Sequence, residues 1–269
     1  MNKIKIAILQ LPGTNCEYET KRCVDALGMT GDIVRWNESR ETIESYDGYI
    51  LPGGFSFQDR VRSGAIAAKL ELMAVLEKSA DQGKPILGIC NGCQILAETG
   101  LVPGSNHNKI EMALTYNHDN GKRVGFICDW KYVTFKNPSA SLFTKEFKET
   151  DVFAIPINHG EGCFIFNDEY VDDVQTLGAI QYCTETGDVD TSYPTNPNGS
   201  MLNIAGVSNK KGNVLAMMPH PERAFFRKQF PKDLEKKLTD SKSELGPWAL
   251  LLKGMKNYIE SEKIKKDVG

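Results

Sequence analysis

Cys90 stands in Gly88-Ile89-Cys90-Asn91-Gly92, where a wholly apolar run gives way to the helical pattern Gln94-Ile95-Leu96-Ala97-Glu98. A thiol at such a bend reads as a nucleophile elbow written with cysteine. The strained turn projects the sulfur above a sheet, and glycines two residues to either side let neighbouring backbone approach closely. An ordinary cysteine is only a few per cent thiolate near neutral pH, and amides at a helix N-terminus favour the anion. A base is still required. Of His107, His118, His159 and His220, the last is held best, in Met218-Pro219-His220-Pro221-Glu222. Each proline pushes the residue before it out of the α region, so His220 is expected to be extended. Two residues apart on an extended segment, His220 and Glu222 point to one side. The carboxylate then accepts from one ring nitrogen while the other faces the thiol. Cys90, His220 and Glu222 thus form a candidate triad of nucleophile, base and orienting acid. Amides for a developing oxyanion are available at Asn91 and in the Gly53-Gly54 turn.

The elements that must position these groups follow from periodicity. Strands are predicted at residues 3–9, 32–36, 48–51 and 85–89. A helical pattern follows Pro12-Gly13, carrying Cys16, Thr20, Cys23, Val24 and Leu27 up to Gly28, and an amphipathic helix spans 64–82 with Ile66, Leu70, Met73 and Leu76 on one stripe. This alternation predicts an α/β fold with a central, mostly parallel sheet flanked by helices, whose carboxyl-end edge is where ligands bind. Further strands are expected at 124–127, 132–135, 153–157, 204–207 and 214–217, in no assigned order. The Pro/Asn/Gly-rich stretch 193–200 reads as either a lid or a plain connection. Trp248, Leu251, Leu252, Met255, Tyr258 and Ile259 mark a terminal helix with Pro247 at its first turn. One domain over 1–269 is expected, with a core at 3–225 and a C-terminal extension at 226–269.

The 269 residues are 41% hydrophobic and 25% charged, with 32 Lys and Arg against 35 Asp and Glu, a net charge of −3. No basic field for nucleic acid or an anionic membrane surface exists at that balance. The first apolar run is too short for a signal peptide, and no stretch of about 18 apolar residues offers a membrane span. Seven cysteines, an odd number in a chain this long, read as reduced thiols in a cytoplasmic protein.

Taken together, the glycine pair in Leu51-Pro52-Gly53-Gly54-Phe55, the elbow Gly88-Ile89-Cys90-Asn91-Gly92-Cys93-Gln94 and the late His220-Pro221-Glu222 resemble class I glutamine amidotransferases. More narrowly, Phe55–Ala65 (FSFQDRVRSGA), His159-Gly160-Glu161-Gly162, Asn196-Pro197-Asn198-Gly199-Ser200 with Ile204-Ala205-Gly206, and the run 212–223 are similar to the glutaminase-subunit family of phosphoribosylformylglycinamidine synthase. The match covers roughly residues 3–225. The resemblance implies the flavodoxin-like amidotransferase fold and hydrolysis of L-glutamine to glutamate and ammonia. It further implies a synthetase subunit and a small accessory subunit as partners, with ATP and Mg2+ used on the synthetase and no cofactor or metal in this chain. It also brings Gln94, His159 and Glu161 forward as candidate substrate-binding residues. Two positions depart from the family pattern: Phe57-Gln58 stands where Tyr-Gly is usual, and Cys93 where Phe is usual.

Other readings stand beside these. Cys90-x-x-Cys93 is also the spacing of a dithiol redox pair or half a zinc site, although no second such pair follows. Cys93 reads as well as a small buried residue. Gln94 is either support for the elbow or a glutamine contact, and His159 with Glu161 is either a structural turn or part of the site. Arg60 and Arg62 either solvate a helix entrance or meet substrate or partner. A vestigial elbow in a non-catalytic interaction subunit, or a glutaminase serving another synthetase, are the remaining alternatives.

Overall fold

The computed structural model describes residues 3–104, 109–238 and 243–268. A nine-stranded sheet runs through it, and half of that sheet is parallel. That half contains β1 (Lys5–Gln10), β2 (Thr30–Arg35), β3 (Gly48–Leu51) and β4 (Ile86–Ile89), joined late in the chain by β13 (Val214–Met217), in the order β2-β1-β3-β4-β13. The connections carry α1 (Glu17–Ala26), α2 (Arg40–Glu44), α3 (Glu71–Asp81) and, after β4, α4 (Asn91–Thr99). Strands β3, β4 and β13 read GYIL, ILGI and VLAM with every residue buried, as strands covered on both faces require. Because β4 pairs parallel with both β3 and β13, all three deliver their following residues to one edge.

Beyond β13 the sheet continues antiparallel through β12 (Ile204–Ser208), β11 (Gly178–Cys183), β8 (Ile127–Thr134) and β9 (Val152–His159). Off the sheet, β5 (Met112–Thr115) pairs with β10 (Cys163–Phe166), and β6 (His118–Asp119) pairs with β7 (Lys122–Arg123). Helices α5 (Val171–Leu177), α6 (Lys232–Glu235) and α7 (Ala249–Val268) complete the α-helices among the described residues.

Two segments differ from expectation, and a third settles between two stated readings. The helix predicted from residue 64 begins at Glu71, because Gly64 lies at φ +79° and packs so closely on α4 that a Cβ there would sit 2.7 Å from the Gln94 carbonyl carbon. The segment before Leu70 therefore runs over α4 as a short 3-10 turn, Ala67–Lys69. Residues 124–126 form no strand: Gly125 turns at φ +87°, Val124 and Phe126 face outward, and β8 starts at Ile127. The stretch around 193–200 is no lid. Asn196, Asn198 and Ser200 are buried, and Asn198 Nδ2 donates to Gly162 O at 2.7 Å.

The C-terminal segment shares the central core. Trp248 is fully buried and its indole N–H donates to Ala154 O at 2.9 Å, while Leu251, Met255 and Ile259 of α7 join the same apolar cluster as Ile6 and Leu87. Gly48 is small where α7 crosses it, since a Cβ there would meet Met255 Cε at 2.6 Å. Among the described residues no helix is long and apolar enough to cross a membrane.

Candidate active site

Cys90 links β4 to α4 at φ +51°, ψ −104°, a conformation that side-chain-bearing residues adopt only under constraint. The constraint is visible. Its amide donates to Met217 O of β13 at 2.8 Å, which ties the bend to the neighbouring strand. Both flanking glycines are obligatory on space: a Cβ at Gly88 would meet Gly92 O at 2.6 Å, and one at Gly92 would meet Leu51 O at 2.0 Å. The sulfur lies 3.6 Å from Asn158 O of β9 and opens into a cavity of about 220 Å³.

His220 follows β13 and reaches the same edge. Its amide donates to Pro156 O at 2.9 Å, and its Nδ1 lies 2.5 Å from Glu222 Oε1. The expected extended segment is corrected here: Pro221–Arg223 is a 3-10 turn, so carboxylate and imidazole meet across a turn instead of by strand alternation. Burial pushes the imidazole down, yet the Glu222 carboxylate and then Cys90 outweigh it, and the ring is held well above the ordinary histidine range. Its Nε2 is buried without a hydrogen-bond partner among the described residues.

The Gly53-Gly54 turn ends β3 beside this pair. Gly53 must lack a side chain, since a Cβ would lie 2.7 Å from His220 Cε1. Gly54, at φ +154°, lines the cavity and leaves 2.7 Å between a hypothetical Cβ and Gly13 O. The Asn91 backbone opens α4, and its side chain shapes the loop above: Oδ1 accepts from Ser56 N at 3.0 Å and Nδ2 donates to Gln94 Oε1 at 3.0 Å. In that loop Phe57, Gln58, Asp59 and Val61 all have positive φ. Gln58, at φ +61°, sits in a conformation that glycine takes without strain.

Gln94, His159 and Glu161 line the cavity with Cys90. Gln94 is engaged by the protein, donating from Nε2 to Glu161 O at 2.7 Å and accepting at Oε1 from Asn91 Nδ2 at 3.0 Å. His159 rests on Gly162, with Nδ1 3.0 Å from Asn117 Oδ1. Burial, then the charge of His220, pushes its pKa down to about 3, and the ring is neutral. Glu161 Oε2 accepts from Ser63 N at 3.3 Å. Arg62 pairs with Glu98 and Arg60 with Gln58, and neither lines the cavity. His118 packs on Gly199, and His107 lies outside the described residues. Cys93 is fully buried beneath the elbow, burial pushes its thiol well up, and both it and Cys90 are free.

Several residues of this edge were not brought forward as site residues by the sequence. Asn117 holds the 159–162 turn, donating to His159 O at 2.7 Å and accepting from Gly162 N at 3.0 Å. Asp59 also lines the cavity; burial, then the charge of Glu161, pushes its carboxyl up to about 6. Phe55 and Phe126 stack at the mouth with centroids 6.5 Å apart. Cys16, just before α1, places its sulfur within 4.8 Å of an imidazole nitrogen of His220 and a carboxylate oxygen of Glu222. Its position after the carboxyl end of β1 was the available signal, since that end shares the ligand-binding edge. Sulfur, imidazole and carboxylate suit a soft divalent ion, but Arg223 already supplies the positive charge there, with Nη2 3.2 Å from Cys16 Sγ and Nε 3.9 Å from Glu222 Oε1.

This geometry agrees with what the chain is similar to. Residues 3–259 match the CobB/CobQ-like glutamine amidotransferase domain. The subunit PurQ of phosphoribosylformylglycinamidine synthase from Methanothrix thermoacetophila is 41% identical over 271 residues, covering 97% of this chain and all of that one. The subunit of the same name from Pyrococcus furiosus is 42% identical over 226 residues, 82% of this chain and 89% of that one. A chain in the structure of PurLQS from Thermotoga maritima superposes with a TM-score of 0.73 at 31% identity, covering 96% of this chain and 99% of that chain. Elbow, sheet order and near-full-length similarity lead to one assignment: the chain belongs to the glutamine amidotransferase family and, within it, to the PurQ-type glutaminase subunits of phosphoribosylformylglycinamidine synthase.

Proposed function

We propose that this chain hydrolyses L-glutamine through Cys90, His220 and Glu222 and hands the ammonia to a synthetase partner. The observation that carries the reading is the elbow itself: a cysteine at φ +51° facing a cavity, with a buried imidazole–carboxylate pair of 2.5 Å at the same edge. His220, its imidazolium form stabilised by Glu222, takes the Cys90 proton, and the thiolate attacks the side-chain carboxamide. The tetrahedral oxyanion accepts from the backbone N–H groups of Gly54 and Asn91. His220 then gives its proton to the departing amine, ammonia leaves, and a γ-glutamyl thioester remains on Cys90. Water, deprotonated by the now neutral His220, cleaves the thioester and releases glutamate. Neutral His159 is a wall of the cavity in this scheme, and Glu161 meets the substrate's polar end.

The chain carries no G-x-x-x-x-G-K-[ST] phosphate loop. ATP and Mg2+ are therefore assigned to the synthetase, which converts formylglycinamide ribonucleotide to the amidine with this ammonia in the cytoplasm, alongside a small accessory subunit. Similarity to PurQ subunits across the whole chain supports that acceptor over another synthetase. Cys90→Ala should abolish glutamate release while the circular dichroism spectrum stays unchanged; persistent turnover refutes the assignment. Adding the synthetase should raise glutaminase turnover, and no change at saturating partner counts against coupling.

A further inference from the structure

The mechanism above makes no use of Cys16, yet this residue touches both halves of the machinery. Its backbone amide and that of Asn15 both donate to Gly53 O, each at 3.2 Å. A trans peptide holds C=O and N–H on opposite sides, so a Gly53 carbonyl drawn toward the start of α1 turns the Gly54 N–H the other way. Gly54 lines the cavity. The Cys16 side chain is 1% exposed, with Sγ accepting from Arg223 Nη2 at 3.2 Å and donating to Asn15 Oδ1 at 3.2 Å. Arg223 Nε is held in turn by Glu19 Oε1 of α1 at 2.9 Å. A Cβ at Gly53 would meet His220 Cε1 at 2.7 Å and Cys16 Sγ at 3.1 Å, so ring and thiol share the space this glycine leaves.

We propose that Cys16 is a positioning residue for the glutaminase reaction: its amide orients the oxyanion peptide, and its thiol, strapped by Arg223 and Glu19, seats the His220 ring. The inference rests on the glutaminase reading of the site. Sulfur suits the task because it fills the gap beside the ring while still accepting the guanidinium N–H. Alanine leaves a void there, and serine restores the polar contact without the volume.

The test compares the full-length wild type with Cys16→Ala, Cys16→Ser, Arg223→Gln, Cys16→Ala/Arg223→Gln and Cys90→Ala. Two readouts are taken: steady-state glutamate release from glutamine, and the pH profile of Cys90 alkylation by iodoacetamide. Alkylation at a saturated carbon uses the thiolate–imidazolium pair but no oxyanion hole, so a displaced ring registers there independently. Cys16→Ala should lower kcat about tenfold with KM within about twofold, because an orientation effect acts in the transition state. It should also move the alkylation profile. Cys16→Ser should recover part of the loss. Arg223→Gln, a change at a partly exposed side chain, should shift both readouts in the same direction, and the double variant should be no worse than Cys16→Ala. Unchanged kcat and alkylation profiles in Cys16→Ala and Arg223→Gln at equal folded content overturn the proposal. Should Cys16→Ala fail to fold, Cys16→Ser and Arg223→Gln decide it by the same criteria. A wild type that stays inactive with the synthetase present, or an active Cys90→Ala, overturns the glutaminase reading instead and this inference with it.

Discussion

His220 Nδ1 lies 2.5 Å from Glu222 Oε1, and both side chains are only 2% exposed. A buried imidazole would shed its proton; beside this carboxylate it keeps it. Replacing Glu222 with Gln removes the charge while nearly preserving shape. Glutaminase kcat should fall by about 10²-fold or more, the scale of general acid–base catalysis. Stability should also change its dependence on pH. The unfolded imidazole titrates near about 6.5 and the folded one higher, so the stabilisation is fully present below about 6.5 and fades as pH rises through the folded value. Urea unfolding of the wild type across that window should show declining stability, and Glu222→Gln a flatter line.

Two glycines of the site should fail in different ways. At Gly92 a methyl would collide with the Leu51 carbonyl at 2.0 Å, backbone against backbone, so Gly92→Ala should destabilise the protein by about 3 kcal/mol in denaturant titration. At Gly53 the collision is with the edge of His220, at 2.7 Å. Gly53→Ala should therefore lose glutaminase activity out of proportion to any fall in melting temperature.

Asp59 carries a carboxyl pushed up to about 6 by burial and by Glu161. The unfolded carboxyl titrates near about 3.9, so ionising Asp59 in the folded protein costs stability as pH rises from there through about 6. Asp59→Asn should remove that loss. Equal slopes in the two proteins between about pH 4 and pH 6 would count against the environment described for Asp59.

Trp248 anchors the C-terminal helix with a fully buried ring and an N–H donated to Ala154 O at 2.9 Å. Trp248→Ala should cost about 3–5 kcal/mol by equilibrium unfolding, as expected for a large core aromatic.

The elbow was legible in the chain because its determinants are local. Residues 88–92 carry both the strained position and the two glycines that make room for it, and the preceding apolar run and following helical pattern are contiguous with them. The same holds for β3, predicted at 48–51 and found at Gly48–Leu51, and for the pairing of His220 with Glu222, although a 3-10 turn and not an extended segment brings them together. Less local features were lost. Gly64 looks like the start of an amphipathic helix until its approach to α4 is known, and the run at 124–127 looks like a strand until Gly125 is seen turning Phe126 toward the mouth of the cavity. Cys16 and Asn117 were missed because neither sits in a motif of its own; each matters through partners about 40 to 200 residues away, such as His159 and Arg223.

Residue type and short spacing were enough to bring Cys90, His220 and Glu222 forward as one candidate site, since backbone sterics at glycine, proline and a strand-to-helix bend act within a few residues. The tertiary structure alone decided which further groups stand at that edge and in what electrostatic state. Burial and neighbouring charge are properties of packing: the Glu222 charge holds His220 up against its burial, burial keeps His159 neutral, and the fold brings a second thiol, Cys16, within 4.8 Å of the His220 ring nitrogen.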